Sequence, residues 1–275
     1  MRIGIDIDDT LFDFVSVWIA EYNKEHDDQL TLADITDWVF SGVDFKCTKQ
    51  EFYNYLHNAY LQLRAEAFPA AKESLEQLAD MGHLACFITA TRRSVAPTKI
   101  NKLLMELDPD LDYELHFTRE KWHVNCDIYI DDNPKDIENY MQHSWGKPWH
   151  CLTLLFDRPW NRHVECNSAG GFISEVRRRR DRGWLMADRM AVTTVPVRVT
   201  SWSDIVQIIP WYEIIGAKEP EPERRYMGID WALVEAETPA MREMDEGPEC
   251  HGCVLEYECS LGPDVCAGPF EEVLH

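Results

Sequence analysis

Two pairs of aspartates are the residues of this sequence best suited to chemistry. Asp6 and Asp8 follow the first short apolar run, and the alternation of side chains along a strand would place both on one side. Asp131 and Asp132 follow another such run. If the two runs form parallel strands of one sheet, three or four carboxylates meet at the same edge, where their repulsion requires a hard divalent cation. Ligation by oxygen alone favours magnesium.

Two further residues fit the same chemistry. Thr89 follows the apolar run from Leu84 to Ile88 and supplies hydroxyl and backbone donors that can hold a phosphoryl oxygen. Lys121, ten residues before Asp131, can neutralise charge that develops on a phosphate. Taken singly, an aspartate pair at a strand end is equally well explained as a helix cap, Thr89 is more often a capping residue, and Lys121 is more often a solvated surface charge. Their order and spacing as a set favour phosphoryl transfer.

This set of residues resembles the motifs of the haloacid dehalogenase (HAD) superfamily. Its members carry an aspartate-x-aspartate-x-threonine motif on the first strand, a threonine or serine after the second, then a lysine, then an acidic pair. The resemblance spans the chain from its N-terminus to about residue 160, and Asp9 stands where the superfamily usually has glycine. The matching residues here are Asp6, Asp8, Thr10, Thr89, Lys121, Asp131 and Asp132.

The resemblance implies a mechanism for these residues. Asp6 would attack phosphorus to form an aspartyl-phosphate, and Asp8 would act as general acid and then as general base. Phosphate would be bound at Thr89, Ala90 and Lys121, although Ala90 carries no hydroxyl. Magnesium would be held by Asp6, the backbone carbonyl of Asp8, Asp131 and Asp132.

Within the superfamily, the sequence resembles the 5'(3')-deoxyribonucleotidases. Phe14 stands eight residues after the nucleophile, where that family has a base-contacting phenylalanine, and Trp38-Val39 is similar to its tryptophan-valine pair. The segments Thr118–Lys121 and Phe156–Asn161 are also similar. The resemblance implies a nucleoside monophosphate substrate whose base contacts Phe14, Trp38 and Val39. The alternative is that these aromatic residues belong to the hydrophobic core.

Strands and helices must alternate to bring these residues together. The apolar runs 3–7, 84–88, 128–130 and 152–156 predict buried parallel strands, and the patterns over 70–81 and from Pro134 predict helices between them. A helix near Val15 to Glu25, a helical segment from Glu51 to Leu63, a β-rich run from Val192 to Val199 and a helix start at Ser201 are also predicted. We therefore expect an α/β fold with a doubly wound, parallel, Rossmann-like HAD core sheet.

The same pattern predicts the domains. Residues 1–10 and 69–215 form the core, 11–68 a small helical cap, and 216–275 an acidic linker with a cysteine-rich tail as a small C-terminal appendage. Four thiols of this tail could hold a structural zinc ion, which would make the tail a binding module for a protein partner. The alternatives are an iron–sulfur cluster, reduced thiols or disulfides. They are Cys250, Cys253, Cys259 and Cys266.

Charge limits the partners of the protein. The formal net charge of -22 argues against anionic membranes and extended nucleic acid, so a small anionic substrate such as the nucleotide that the resemblance implies needs a metal and local cations. The absence of a long apolar run indicates a cytoplasmic protein, and homodimerisation is left open. The basic run from Arg177 to Arg180 is interpreted as a solvated helix face.

The alternatives to a nucleotidase are a HAD phosphatase of another small phosphomonoester or of 3'-phosphate nucleic-acid ends, or a HAD-like scaffold with a zinc-binding interaction tail.

Overall fold

The computed structural model describes residues 1–144, 151–182 and 193–216. These residues contain a seven-stranded sheet with the order β3-β2-β1-β4-β5-β7-β6, and every strand pairing in it is parallel. The predicted α/β class is therefore confirmed. The strands are β1 (Arg2–Ile5), β2 (Leu84–Thr89), β3 (Tyr113–Phe117), β4 (Ile128–Asp131), β5 (Leu152–Phe156), β6 (Asn167–Ser168) and β7 (Val197–Val199).

The register of the central strands aligns their carboxyl ends. Ile5 of β1 pairs with Phe87 of β2 and with Ile130 of β4. The backbone N–H of Asp6 then donates to the carbonyl of Ile130 at 2.9 Å, which extends the pairing one residue beyond β1. Side chains that follow β1, β2 and β4 therefore emerge at the same edge of the sheet.

Gly4 allows the layers around β1 to approach closely. A Cβ atom at this position would lie 2.8 Å from a ring carbon of Tyr129 and 2.9 Å from the Ile88 side chain. Because Tyr129 and Ile88 are themselves buried in the core, neither can move away freely. A glycine here lets apolar residues of β2 and β4 cover the strand that carries Asp6.

Helices connect and cover the strands. The predicted helix over 70–81, the one from Pro134, the one near Val15 to Glu25 and the helix start near Ser201 are all present. In chain order the helices are α1 (Phe14–His26), α2 (Lys49–Leu56), α3 (Ala59–Arg64), α4 (Ala71–Asp80), α5 (Ala96–Glu106), α6 (Pro134–Ser144), α7 (Ala169–Asp181) and α8 (Trp202–Gly216).

Three details of the sequence-based prediction were wrong. The segment from Glu51 to Leu63 is two helices, because Asn58 caps α3 by accepting from the N–H of Tyr60 at 2.9 Å. Within the described part of the run from Val192 to Val199, only β7 is a strand, since Pro196 has no N–H to contribute to a ladder. Strand β3 was missed because its sequence, Tyr-Glu-Leu-His-Phe, contains no continuous apolar run, and its side chains are only half-buried.

The structure tests the predicted basic helix face but not the predicted zinc site. The solvated basic face is confirmed: in α7, Arg177, Arg178 and Arg180 are exposed, and Arg178 and Arg179 pair with Glu175. Residues 47–54 group separately from the main body, and there Thr48 and Glu51 form a reciprocal cap on α2. The four candidate zinc cysteines lie outside the described residues. Among the helices that the structure describes, none has both the length and the apolar character needed to cross a membrane.

We expect His83 to make stability depend on pH. Its imidazole is buried between α4 and β2, with Nδ1 3.3 Å from the N-terminal amine and Nε2 3.6 Å from Glu213. Burial and the positive N-terminus lower the pKa of His83 in the fold, whereas the unfolded chain keeps the ordinary value. The unfolded state therefore binds the proton first as the pH falls below about 6.5, so the stability contributed by neutral His83 is lost on acidification.

A neutral replacement at this position tests that expectation. Urea unfolding at about pH 7.5 and about pH 5 should show a smaller loss of stability for His83→Gln than for the parent protein. The other histidines are common to both proteins, so the difference isolates His83. An equal or larger loss in the variant would show that His83 does not carry this pH dependence.

Candidate functional site

Three buried carboxylates converge where β1 and β4 end. Asp6, Asp131 and Asp132 each place a carboxylate oxygen within 4.8 Å of the others. Burial is the main cause that raises the pKa of all three. Repulsion from Asp8 adds to the shift of Asp6, repulsion from Asp6 adds to the shifts of Asp131 and Asp132, and Lys121 opposes all three shifts. A compact, buried set of oxygen donors with excess negative charge fits a hard divalent cation such as magnesium. The carboxylate of Asp8 is not a member of this cluster, so its predicted role through the backbone carbonyl stays a prediction.

Lys121 supplies positive charge next to the cluster. Its Nζ lies 2.7 Å from Asp6 Oδ1, 2.9 Å from Asp131 Oδ2 and 3.1 Å from Asp136 Oδ2. Burial lowers the pKa of Lys121, but Asp131, Asp136 and Asp6 together raise it well above the usual value, so the ammonium form is retained. Lys121 is only 5% exposed, which rules out the alternative that it is a solvated surface charge.

Asp8 and Thr89 share a partner that the sequence analysis missed. The Nζ of Lys99, from the first turns of α5, donates to Asp8 Oδ2 and to Thr89 Oγ1, the latter at 3.0 Å. Thr89 is buried at the end of β2, whereas the following residue, Ala90, is exposed. Lys99 lies among the buried residues of α5 with Lys102 and Leu103, and no local pattern in the sequence marks it as a partner of Asp8.

Asp9 occupies the position where the superfamily usually has glycine. Its φ of 58° is left-handed, a conformation that aspartate tolerates better than most residues. The Asp9 carboxylate accepts from the N–H of Val15 at 3.0 Å and from Arg158 at 3.2 Å, and Arg158 also binds Asp13 at 2.8 Å. Burial raises the pKa of Asp9 and Arg158 opposes that shift. The additional negative charge is therefore paired within the protein and caps α1.

Hydrogen bonds from two segments orient Asp132. Thr10 Oγ1 donates to one carboxylate oxygen at 3.2 Å, and the indole N–H of Trp160 donates to the other at 3.0 Å. The side-chain amide of Asn161 donates to the Asp132 carbonyl at 2.8 Å. Thr10 and the loop after β5 thus orient a residue of the acidic cluster, as second-layer partners commonly do in metal sites.

The candidate base-contacting residues differ in their exposure. Trp38 is half-buried and lies edge-on to Trp160, with ring centroids 6.0 Å apart, so it contacts the residue whose indole N–H binds Asp132. Val39 is 42% exposed, whereas Phe14 is only 4% exposed and lies in the core. Trp38 and Val39 are therefore more exposed to solvent than Phe14.

His57 is a second residue near Asp8 that the sequence analysis did not identify. Its Nε2 is buried and has no hydrogen-bond partner among the described residues. Burial lowers the pKa of His57 to about 4, with contributions from the positive charges of Arg92 and Lys99 and an opposing one from Asp8. This imidazole is therefore neutral near pH 7 and lies within electrostatic range of the proposed general acid.

Comparisons with known proteins agree on one family. The family model described as "5' nucleotidase, deoxy (Pyrimidine), cytosolic type C protein" matches residues 1–175. The chain is 31% identical over 140 residues to the 5'(3')-deoxyribonucleotidase of Clostridium acetobutylicum, a match that covers 50% of this chain and 76% of that protein.

Solved structures are also similar to the chain. A hydrolase from Streptococcus pneumoniae matches with 18% identity and a TM-score of 0.40, covering 58% of this chain and 94% of the other. A phosphonoacetaldehyde hydrolase-like protein from Oleispira antarctica matches with 12% identity and a TM-score of 0.42, covering 80% and 95% respectively.

Proposed function

Because the chain belongs to the cytosolic type C family of deoxy-pyrimidine 5' nucleotidases, and is thus a HAD-type hydrolase, we propose that it is a magnesium-dependent phosphomonoesterase of nucleoside monophosphates. The reaction would proceed through an aspartyl-phosphate on Asp6. The observation that carries this proposal is the buried cluster of Asp6, Asp131 and Asp132 with Lys121 beside it. The roles below follow from that arrangement.

Asp6 and Asp8 divide the covalent chemistry. A carboxylate oxygen of Asp6 forms a bond to phosphorus while the bond from phosphorus to the ester oxygen breaks, and Asp8 gives its proton to the departing alkoxide. Asp8, now a base, takes a proton from the water that attacks the phosphorus of the aspartyl-phosphate. Inorganic phosphate leaves and the Asp6 carboxylate is regenerated. Asp8 suits this role because its side chain is 30% exposed, so that substrate and water can reach it.

Three groups are proposed to hold the phosphoryl oxygens. Lys121 supplies a buried ammonium group in contact with the nucleophile, Thr89 supplies its hydroxyl, and the exposed Ala90 supplies its backbone N–H. Magnesium, bound at Asp6, Asp131, Asp132 and the Asp8 carbonyl, would offset repulsion between the carboxylates and the phosphate. The orientation of Asp132 by Thr10 and Trp160 supports this assignment.

The proposed substrate is a pyrimidine deoxynucleotide. The family description and the name of the Clostridium relative both support a deoxynucleotide, and the family description supports a pyrimidine. Phe14, Trp38 and Val39 are the residues proposed to contact the base; of these, Trp38 also packs against Trp160, whereas Phe14 is the most buried. The word "cytosolic" in the family description supports the proposed cytoplasmic location.

The test is a phosphate-release assay over all ribo- and deoxynucleoside 5'- and 3'-monophosphates with magnesium, with parallel samples in a metal chelator. We expect release from deoxynucleotides that requires magnesium and is fastest with pyrimidines. A 3'-phosphorylated oligonucleotide serves as the competing substrate, because the exposed arginines of α7 are the feature that could favour it. Preference for the oligonucleotide would overturn the substrate assignment, and no release from any ester would overturn the enzyme assignment.

A further inference from the structure

A second buried lysine contacts the proposed acid–base machinery. Lys99 is 2% exposed, and its Nζ donates both to Asp8 Oδ2 and to Thr89 Oγ1. The partners of Lys121 are different carboxylates, those of Asp6, Asp131 and Asp136. The two buried lysines therefore contact different members of the site: Lys121 binds the nucleophile, and Lys99 binds the residue that would move protons.

The position of Lys99 is costly for a residue with no function. It lies in the first turns of α5, where the positive end of the helix dipole disfavours another cation. Its burial also removes the solvation of an ammonium group. A buried lysine at this position requires a carboxylate within reach, and the carboxylate that Lys99 reaches is that of Asp8, which is 91 residues away in the sequence.

The direction of the hydrogen bonds determines what Lys99 does to its partners. An ammonium group has donors and no acceptor, so the Thr89 oxygen must accept the bond. The hydroxyl hydrogen of Thr89 is then left to donate to another oxygen, such as one of a phosphoryl group. In the same way, Oδ2 of Asp8 is occupied by Lys99, which leaves Oδ1 to carry the proton.

We infer that Lys99 is a positioning residue that holds Asp8 in the orientation for proton transfer to the leaving oxygen and directs the hydroxyl of Thr89 toward the phosphoryl group. This inference rests on the proposed function. It assigns Lys99 no contact with substrate. The competing explanation is a structural ion pair that only neutralises Asp8.

The leaving group distinguishes these explanations. A nucleoside alkoxide must be protonated as it departs, whereas p-nitrophenolate leaves without a proton. The value of kcat/KM reports the steps up to departure of the alcohol, before hydrolysis of the aspartyl-phosphate. Loss of a well-oriented Asp8 should therefore lower kcat/KM for thymidine 5'-monophosphate much more than for p-nitrophenyl phosphate. A substitution that only disturbs the structure of the site should lower kcat/KM for both esters by the same factor.

The experiment compares Lys99→Met with the parent protein on these two esters in magnesium. We expect kcat/KM for the nucleotide to fall by about 100-fold or more and that for p-nitrophenyl phosphate by less than about 10-fold. Lys102→Met is the matched control, because Lys102 is another buried lysine of α5 that binds Glu106 and the carbonyl of Leu63. In Lys102→Met, the ratio of kcat/KM for the nucleotide to kcat/KM for p-nitrophenyl phosphate should equal the ratio in the parent protein.

Two further variants complete the test. Asp8→Asn should show the same preference for p-nitrophenyl phosphate, and adding Lys99→Met to it should cost far less than in the parent, because Lys99 acts through Asp8. Lys99→Gln is measured in the same way if Lys99→Met does not fold. If Lys99→Met lowered kcat/KM equally for both esters, or lowered neither, the inference about Lys99 would be overturned and the proposed function would stand. A parent protein that releases phosphate from neither ester would overturn the proposed function and this inference together.

Discussion

Replacing Asp6 with asparagine should lower phosphate release from a deoxynucleoside monophosphate by on the order of 10⁴-fold or more. The amide oxygen is a very poor nucleophile, so no aspartyl-phosphate can form. The substitution keeps the volume of the side chain, and Lys121 keeps its ion pairs with Asp131 and Asp136. Activity should therefore be lost without loss of the fold, as measured by steady-state phosphate release and by thermal unfolding of the same preparation.

A matched variant separates this effect from general damage to the sheet edge. Asp157 directly follows β5 and pairs with Arg198 and Arg162, and its carboxylate is not a member of the acidic cluster. We expect Asp157→Asn to retain activity within a few-fold of the parent protein. If Asp6→Asn kept more than about a hundredth of the parent activity, the nucleophile would have to be assigned elsewhere.

Lys121→Met should destabilise the protein by about 3–5 kcal/mol in the absence of divalent cations. Lys121 is the buried cation shared by Asp6, Asp131 and Asp136, and its loss would leave these carboxylates without their compensating charge. Added magnesium should recover part of the lost stability, since a bound cation would neutralise two of the same carboxylates and binds only the folded state. Urea unfolding in chelator and in millimolar magnesium measures both effects.

Lys102→Met again provides the control. Lys102 is as well buried as Lys121, but its partner Glu106 is partly exposed and also pairs with Lys72. We expect a loss of no more than about 1–2 kcal/mol that magnesium does not change. A Lys121→Met protein as stable as the parent in chelator would contradict the charge balance described for the acidic cluster.

The strand-end residues could be located from the sequence for a simple physical reason. A short apolar run predicts a buried parallel strand, and parallel strands deliver the residues that follow them to one edge. Asp6, Thr89 and Asp131 were placed at the same edge in this way, and the register of β1, β2 and β4 brings them there. The α/β class followed from the same alternation.

The partners of these residues could not be found in that way. Lys99 reaches Asp8 across 91 residues and Arg158 reaches Asp9 across 149, and no local pattern encodes such pairs. The exposure of Trp38 relative to Phe14 depends equally on long-range packing. A local hydrogen bond was also missed: the side chain of Asn58 caps the start of α3 within the stretch that the sequence predicts as one helical segment.

Trapping the covalent intermediate tests the central claim most directly. In Asp8→Asn, p-nitrophenyl phosphate should still phosphorylate Asp6, because its leaving group needs no acid, while hydrolysis slows without a base. Acid quenching followed by peptide mass mapping should then find a phosphoryl group on the peptide that contains Asp6, and none in the Asp6→Asn, Asp8→Asn double variant. Continued release of p-nitrophenol with no phosphorylated peptide, or a phosphoryl group on another residue, would contradict the account.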